Sequence, residues 1–280
     1  MSVTIVVPAY NEEGTIGRVL DGIKKVAGEC EIIVVDDCSE DGTADIARKS
    51  GVKLLQHERR MGYGAALKTG VKNAGGDFVL FMDADGQHDP EDIPELLRQR
   101  EENDMIVGER KNLKEPPVKK FGRKVLGGTI NYLCGVRVPD FNSGFRLVKK
   151  ETAMRFMEML PDTFSFTTTL TLCCMVAGCR VKYVPVTLLG KENGGMKVKN
   201  APVYAFIFFR SIWRFNPLKV FAPLSAALLL SALSGAYLGA NALSAVLLAL
   251  SAASLVSGIA AERKSFSRRI KEMKNESTAH

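Results

Sequence analysis

Apolar runs and helical repeats alternate through the first half of the chain. Short apolar runs predict buried strands at residues 3–7, 32–35, 52–56, 78–82 and 105–107. Between them, apolar residues at helical spacing predict helices at residues 13–26, 43–48, 65–73 and 90–100, the second of which follows a turn at residues 39–42. This order is typical of an α/β domain with a parallel sheet covered by helices.

Polar residues follow three of the predicted strands at the point where each strand ends. Pro8 to Glu12 follow the first strand, Asp36 and Asp37 the second, and Asp83 and Asp85 the fourth. In open α/β sheets, ligands bind outside the carboxyl ends of the strands. We therefore expect these acidic strand ends to converge on one site.

The segment MDADGQHDPEDI at residues 82–93 carries the sharpest chemical signal. In an extended chain, Asp83, Asp85 and Gln87 would point to the same side. Their oxygens suit Mg²⁺ or Mn²⁺, which would keep open positions for substrate phosphates. The segment thus predicts a nucleotide-diphosphate site, although a solvated acidic turn before a helix that starts at Asp89-Pro90 would have the same composition.

Residues 220–261 contain no charged side chain. These 42 positions are enough for two membrane-spanning helices of about 20 residues each. Gly239-Ala240-Asn241 supplies a turn between them, and basic residues on both flanks predict that both ends lie in the cytoplasm. A buried helical hairpin of a soluble bundle is the alternative, but such a hairpin needs a polar face.

Two further segments, residues 118–136 and 201–216, mix apolar and aromatic residues with Lys and Arg at helical spacing. This pattern predicts helices that lie in the lipid headgroup layer, and helices that cover the sheet are the alternative. The predicted organisation is a cytosolic catalytic domain (1–200), an interfacial helix (201–216), two transmembrane helices (217–261) and a basic cytosolic tail (262–280) that frays.

Composition agrees with this organisation. The net charge of +7 suits anionic lipid headgroups and phosphate substrates. Nucleic acid is a weaker explanation of this charge, because outside the two segments assigned to the headgroup layer the sequence has no stripe of basic residues interleaved with aromatic residues that could stack on bases. The six cysteines show no metal or disulfide spacing, which favours a reducing compartment, and the first strand begins at once, without a signal peptide. We expect a multi-pass protein of the cell membrane with its catalytic domain in the cytoplasm. Oligomeric state stays open.

No dinucleotide-binding Gly-x-Gly-x-x-Gly motif follows the first strand, and no P-loop occurs. Five other segments carry a specific resemblance in the right order: IVVPAYNEEGTI, IIVVDDCSEDGT, GYGAALKTG, MDADGQHDPEDI and DFNSGFRLVKKE. Over roughly residues 2–200 the chain resembles family 2 glycosyltransferases of GT-A fold, in particular the dolichol-phosphate mannose synthase and polyprenyl-phosphate glycosyltransferase group. The resemblance implies a Rossmann-like mixed α/β sheet, here followed by a C-terminal transmembrane helical hairpin.

The resemblance also implies roles for individual residues. Nucleotide-sugar binding is implied for Pro8, Tyr10, Glu12, Val35, Asp37, Asp83, Ala84 and Asp85. Asp83, Asp85 and Gln87 would hold Mg²⁺ or Mn²⁺ on the donor diphosphate, where the cation offsets the charge of the leaving group. Two departures stand out. Cys38 replaces a residue that is often Gly, a change we expect to be tolerated because Cys is small, and Lys191 and Lys197 stand where an Arg and a Ser-Lys pair are expected.

The acceptor side needs positive charge more than it needs a base. A phosphate monoester has a second pKa near ~6 and is largely dianionic at neutral pH. Catalysis then consists mostly of alignment and charge stabilisation. Catalytic roles are predicted for Asp85, Arg110 and Arg123, and acceptor-phosphate contacts for Arg123, Ser143, Lys191 and Lys197. Arg146 is a further candidate cation, or else part of an internal salt bridge. His88 packs or caps the turn before Pro90 or, as an alternative, touches the diphosphate or serves as a ligand.

These expectations together predict an inverting, metal-dependent glycosyltransferase. It would move a hexose from a nucleotide sugar of the GDP-mannose or UDP-glucose type to a polyprenyl or dolichyl phosphate at the cytoplasmic membrane face. Alternatives are a transferase of the same fold that uses another lipid, such as a diacylglycerol, and a membrane-bound protein that binds nucleotide sugars without turnover.

Overall fold

The computed structural model describes residues 1–110, 128, 131, 139–140, 143–189 and 218–277, and for 176, 219, 220 and 263–277 it describes the backbone only. The chain divides into two compact units, Met1–Ala201 and Pro202–His280. The two predicted interfacial segments are 118–136 and 201–216, and apart from residues 128 and 131 they lie outside the described residues. Arg123, Lys191 and Lys197 also lie outside the described residues.

The first unit is built on a sheet whose seven described strands run in the order β3-β2-β1-β4-β6-β5-β7. The strands are β1 Val3–Ala9, β2 Glu31–Asp36, β3 Lys53–Gln56, β4 Phe78–Phe81, β5 Met105–Arg110, β6 Arg146–Lys149 and β7 Val181–Val186. The five strands predicted from the apolar runs are present with shifts of a few residues at their ends. Two further strands, β6 and β7, were not predicted.

The sheet is mixed, as the family resemblance implies, and not the wholly parallel sheet that the alternating pattern suggests. The strands β3, β2, β1 and β4 pair in parallel, whereas β6 runs antiparallel to both β4 and β5. The strand β6 escapes prediction because it begins and ends with a cation, Arg146 and Lys149. The strand β7 contains Pro185, which is acceptable because β7 lies at an edge of the sheet.

The helices of this unit are α1 Ile16–Val26, α2 Thr43–Lys49, α3 Tyr63–Asn73, α4 Ile93–Arg98, α5 Lys150–Phe156 and α6 Phe166–Val176. Each of the four predicted helices is present. The first begins later than expected, at Ile16, and the last is split into a 3-10 turn at Pro90–Asp92 followed by α4. Asp89 accepts a hydrogen bond from the backbone N–H of Glu91 (3.0 Å), so the predicted helix start at Asp89-Pro90 is confirmed.

Helix packing explains the sequence patterns that predicted the helices. In α1 the residues at i, i+3, i+4 and i+7, namely Ile16, Val19, Leu20 and Ile23, are buried in the core. In α3, Gly70 lies directly against the side chain of Val6 in β1, where a Cβ atom would clash. Close approach of α3 to the central strand β1 therefore requires glycine at this position.

The second unit contains a helical hairpin formed by α7 Leu218–Tyr237 and α8 Asn241–Ser277. The predicted turn is present: Gly239 has a φ of +82°, and the N–H of Ala240 donates to the carbonyl of Gly235 (2.8 Å), as in a Schellman motif. The helix α8 continues to Ser277, so the expectation that the chain frays after residue 261 is wrong for residues 262–277.

The two helices of the hairpin meet through small and hydroxyl side chains. Ser225 and Ser251 donate hydrogen bonds to each other's backbone carbonyls (3.0 and 2.9 Å), and Gly235 lies against Ser244. Large apolar side chains lie exposed on the hairpin, among them Leu224, Leu230, Leu233, Leu243, Leu248 and Val256. Within the described residues one helical stretch, Asn241–Glu262, is long and apolar enough to cross a membrane, and the apolar stretch Phe221–Tyr237 is shorter.

The backbone at Cys38 adds a constraint that the small size of cysteine does not remove, and tolerance of cysteine there stays a prediction. Cys38 has a φ of +64°, a left-handed conformation that disfavours residues with a Cβ atom. We therefore expect Cys38→Gly to raise the free energy of unfolding of the first unit by up to about 1 kcal/mol, measured by urea denaturation. Cys38→Ala is the control for loss of the thiol, and a stabilisation by Ala equal to that by Gly would contradict the backbone explanation.

Candidate active site

The acidic ends of β1, β2 and β4 lie at the same edge of the sheet, as predicted. In the parallel pairing, Ala9 is opposite Asp36, and Val6 is opposite Phe81, two residues before Asp83. The pKa of Glu12 is raised by burial and also by the charges of Asp85 and Asp83. Three carboxylates, one after β1 and two after β4, are therefore close enough to repel one another.

Asp83 is the most constrained of these carboxylates. Its Oδ1 accepts a hydrogen bond from the hydroxyl of Tyr63 (2.8 Å), and its Oδ2 lies against the backbone of Gly144. Burial raises its pKa, while the Tyr63 hydroxyl and the guanidinium groups of Arg110 and Arg146 act in the opposite direction. Tyr63 itself stays protonated as the donor, because burial and the charge of Asp83 raise its pKa well above 10.

The chain turns directly after Asp83 and does not stay extended as the sequence argument assumed. Gly86 has a φ of +70°, and Asp85 Oδ1 accepts a hydrogen bond from the N–H of Gln87 (3.0 Å). The carbonyl of Gln87 accepts from Leu189 (2.8 Å). Strand alternation therefore does not align the three predicted ligands, and a metal contact of Gln87 stays a prediction.

The carboxylates fit a divalent cation that is shared with a substrate. Within the described residues, no group of three or more His, Cys, Asp and Glu side chains is arranged to hold a metal ion. Mg²⁺ and Mn²⁺ in nucleotide sites are commonly held by one or two carboxylates plus phosphate oxygens. Asp83 and Asp85 provide such a pair, and the pKa of Asp85 is raised by burial and by Asp83, which is the repulsion that a cation would offset.

His88 is placed as a packing residue. Its ring stacks on Phe145 (5.1 Å between centroids), and burial lowers its pKa to about 4, so it is neutral at pH 7. Its Nε2 lies 3.9 Å from Asp83 Oδ2, which is beyond hydrogen-bond distance. Its backbone forms an isolated bridge to Leu188. His88 was predicted to pack or cap the turn before Pro90 and is found to pack on Phe145, and its role as a ligand stays an untested alternative.

Asp37, predicted to contact the nucleoside, organises the loop after β3. Its carboxylate accepts hydrogen bonds from the backbone N–H groups of Met61 (2.8 Å) and Gly62 (2.7 Å), and it pairs with His57 Nδ1 (2.7 Å). This loop leads into α3. Direct contact of Asp37 with a nucleoside stays a prediction.

The other predicted nucleotide contacts differ in accessibility. Tyr10 and Glu12 are partly exposed, and the guanidinium of Arg60 lies 3.9 Å above the ring of Tyr10. Pro8, Val35 and Ala84 are buried. Their proposed contacts with a nucleotide were carried over from the family and stay predictions.

The predicted acceptor residues have different environments. Arg110 forms a bidentate ion pair with Asp140, with Nε and Nη2 at 2.8 and 3.0 Å from its oxygens. Ser143 is buried, and its hydroxyl has no hydrogen-bond partner within the described part of the chain. The side chain of Arg110 therefore has a fixed direction, which Asp140 sets.

Arg146 is a structural residue and not an acceptor contact. It is fully buried and donates to the carbonyls of Ser143 (3.0 Å from Nε) and Thr167 (2.6 Å) and to the hydroxyl of Thr171 (2.8 Å). These partners are neutral, so the predicted internal salt bridge is also wrong. Arg146 instead connects β6 to α6 beneath Asp83 and contributes positive potential there.

Sequence reasoning missed Tyr63, Asp140 and Gly144. Tyr63 and Gly144 stand inside two of the segments that carried the family resemblance, but only the tertiary structure shows that both contact Asp83. Asp140 is the first residue of the DFNSGFRLVKKE segment, but nothing in that segment marked it as the ion-pair partner of Arg110.

Comparison with known proteins identifies the family. The family model described as glycosyl transferase family 2 matches residues 4–157. The chain belongs to this family and is a glycosyltransferase, with the mixed sheet and acidic strand ends described above.

Several relatives are similar over most of this chain. An uncharacterized protein of Methanocaldococcus jannaschii is 34% identical over 219 residues, which cover 74% of this chain and 90% of that protein. The undecaprenyl-phosphate mannosyltransferase of Micrococcus luteus is 28% identical over 218 residues, which cover 72% of this chain and 90% of that protein. The UDP-N-acetylglucosamine–dolichyl-phosphate N-acetylglucosaminyltransferase of Methanococcus voltae is 33% identical over 183 residues, which cover 56% of this chain and 72% of that protein.

Solved structures share the fold. Glucosyl-3-phosphoglycerate synthase from Mycobacterium tuberculosis, in complex with Mn²⁺, UDP and glucosyl-3-phosphoglycerate, has a TM-score of 0.62 at 22% identity and covers 75% of this chain and 80% of its own. The same enzyme with Mg²⁺ and UDP has a TM-score of 0.63. At this identity the likeness supports the fold.

Repulsion among the carboxylates of Glu12, Asp83 and Asp85, here called the acidic cluster, should lower the stability of the folded chain when no cation is bound. Because the pKa of Asp85 is raised, its ionised form is less favourable in the folded than in the unfolded chain at pH 7. We expect Asp85→Asn, which keeps the acceptor for the Gln87 N–H, to raise the thermal midpoint in EDTA by about 1–3 °C at pH 7.

The same variant should lose Mn²⁺-dependent nucleotide binding by more than about 100-fold in titration calorimetry. The stability difference should shrink as the pH falls through the raised pKa of Asp85 in the folded chain, and it should vanish below about 3.9, the ordinary pKa of an aspartate in the unfolded chain, because Asp85 is then protonated in both states. Asp45→Asn, an exposed aspartate in α2, is the matched control. Unchanged nucleotide binding with Mn²⁺ would show that Asp85 is not a ligand.

Proposed function

We propose that this glycosyltransferase moves a hexose from a nucleotide sugar to a polyprenyl phosphate at the cytoplasmic face of the membrane, with inversion at the sugar. The observation that carries the donor half is the group of Asp83, Asp85 and Glu12 at one edge of the sheet. The acceptor half is supported by the names of relatives, which act on undecaprenyl and dolichyl phosphates.

On the donor side, Asp83 and Asp85 would hold Mg²⁺ or Mn²⁺. When bound, the cation offsets the charge that develops on the leaving nucleoside diphosphate. Tyr63 and Gly144 fix the direction of the Asp83 carboxylate, and Asp37 holds the loop that leads into α3. The chain's own contribution is alignment of the donor before attack.

On the acceptor side, no histidine described here is available as a base. His57 is buried between Asp37 and Thr69, with its ring nitrogens at 2.7 and 2.9 Å from their oxygens, and His88 stacks on Phe145. A phosphate monoester needs no base, because it already carries about −1.5 to −2 charges at pH 7. Arg110, fixed by Asp140, and Arg123 supply positive charge for it, with Lys191 and Lys197 as further contacts in this proposal.

The hairpin of α7 and α8 would embed the protein in the membrane. Its serine hydroxyls bond inside the pair, while leucine side chains lie exposed on it, an arrangement suited to lipid. The apolar part of α7 is about 26 Å long, a little short of the ~30 Å hydrocarbon core, so α7 would cross only with local thinning of the bilayer or support from flanking residues. Basic residues on both flanks favour cytoplasmic ends.

The test is turnover by the purified protein in detergent with Mn²⁺ or Mg²⁺, an undecaprenyl or dolichyl phosphate, and labelled GDP-mannose, UDP-glucose or UDP-N-acetylglucosamine. We expect one donor to label the lipid phase, and EDTA to abolish the label. Transfer to diacylglycerol but not to the lipid phosphates would replace the proposed acceptor. Nucleotide-sugar binding without transfer to any lipid would establish a non-catalytic binding protein.

Membrane embedding predicts the effect of a charge in the hairpin. We expect Leu230→Lys, at an exposed apolar position near the middle of α7, to weaken retention in carbonate-washed vesicles, because a lysine at a helix centre costs about 2.5–3.5 kcal/mol in a bilayer. Tyr237→Lys, beside the turn, is the matched control and should be retained, since the turn lies at the membrane surface. Equal retention of both variants would indicate a hairpin outside lipid.

A further inference from the structure

The Gly62-Tyr63-Gly64 segment, at the start of α3, has a backbone geometry that requires both of its glycines. A Cβ atom at Gly62 would lie 2.5 Å from the carbonyl oxygen of Asp162, and one at Gly64 would overlap the backbone of residues 161–163. The N–H of Gly64 donates to the carbonyl of Asp162 (3.0 Å). The two glycines therefore allow a second segment, residues 161–164, to lie directly on the start of α3.

This second segment also holds the ring of Tyr63. Phe164 stacks on Tyr63 with ring centroids 5.1 Å apart and an angle of 13° between the planes. The carboxylate of Asp162 pairs with Lys68 one turn further along α3 (2.7 Å). Phe164 is two-thirds exposed, so burial of its own surface does not explain its position.

The other end of Tyr63 reaches the acidic cluster. Its hydroxyl donates to Asp83 Oδ1, and Gly144 closes the opposite side of the same carboxylate. A Cβ atom at Gly144 would overlap Asp83 and would lie 3.1 Å from the Tyr63 hydroxyl. Asp83 is thus held between a hydroxyl group and a backbone that has no side chain.

We propose that Tyr63 is a positioning residue that acts through Asp83: its hydroxyl fixes the carboxylate in the direction needed for metal binding, and the stacked ring of Phe164 keeps Tyr63 in place. The inference rests on the proposed role of Asp83 as a metal ligand. Groups that orient a metal ligand contribute strongly to metal affinity, because a free carboxylate loses rotational freedom when it binds.

The test compares Tyr63→Phe, which removes the hydroxyl and keeps the stacked ring, with the wild-type chain. Free Mn²⁺ is followed by electron paramagnetic resonance during titration, with UDP and with GDP in separate series. We expect the dissociation constant for Mn²⁺ in the nucleotide complex to rise about 10-fold or more. Nucleotide affinity in EDTA should change little, since the hydroxyl does not touch the nucleotide in this proposal, and the thermal midpoint in EDTA should fall only as far as the loss of one hydrogen bond to Asp83 requires.

Phe164→Leu tests the second step and gives an independent reading if Tyr63→Phe folds poorly. It keeps the hydroxyl but removes the stacked ring, so Mn²⁺ affinity should fall by a smaller factor than in Tyr63→Phe. Tyr237→Phe, which loses a hydroxyl from a tyrosine in the other unit, is the matched control and should bind Mn²⁺ as the wild type does.

The outcomes separate this inference from the function on which it rests. If the wild-type protein fails to bind Mn²⁺ both in the presence of UDP and in the presence of GDP, Asp83 has no metal role and this inference is overturned with it. Normal Mn²⁺ binding by Tyr63→Phe, alongside tight binding by the wild type, would leave the proposed function intact and overturn the positioning role. A parallel loss of metal-free nucleotide binding and thermal stability would show that Tyr63 is only a packing residue.

Discussion

The convergence of carboxylates at the carboxyl edge of β1 and β4 is the constraint around which the first unit is organised. Asp83, Asp85 and Glu12 repel one another and are partly withdrawn from water, so their ionised forms are unfavourable in the folded chain without a cation. The surrounding structure limits this cost. Two buried or half-buried guanidinium groups, those of Arg110 and Arg146, lower the pKa of Asp83. The unfavourable electrostatics are what make the site suitable for a cation and a diphosphate.

Support for this site comes from parts of the chain that are distant in sequence. Tyr63 belongs to α3, Gly144 lies just before β6, and Phe164 precedes α6, yet they form one continuous set of contacts around Asp83. The antiparallel strand β6 makes this possible, because it enters between β4 and β5 and brings Gly144 beside the end of β4. The mixed character of the sheet is therefore a requirement of the site and not a detail of topology.

In the helical hairpin of the second unit, small and polar side chains lie between the helices and large apolar side chains lie on the outside. Its two helices place hydroxyl groups and glycine between them and expose large apolar side chains on the hairpin. In water that arrangement would leave an extensive apolar surface exposed, whereas in lipid it places the hydroxyl groups of Ser225 and Ser251 between the helices, where they bond to each other's backbone. The reciprocal bonds of Ser225 and Ser251 are of the kind that associate helices in a bilayer, where the hydrophobic effect cannot drive association.

The sequence by itself determined the features that depend on local pattern and composition. Alternating apolar runs were enough to predict the α/β class and five of the strands. The segments around Tyr10, Asp37, Asp83 and Ser143 were enough to predict the family. The charge-free stretch was enough for a helical hairpin. These features could be predicted because each is encoded within a few consecutive residues, through periodicity, turn chemistry or the identity of a ligand.

Only the tertiary structure decided how those pieces act on one another. It showed that Cys38 occupies a left-handed backbone position, that Arg146 is buried against carbonyl groups, and that Arg110 is fixed by Asp140. It also placed Tyr63 on Asp83, a contact between residues 20 positions apart. A single sequence does not reveal such contacts, because backbone angles and partners distant in the chain are set by packing of the whole sheet and its helices and leave no periodic signal.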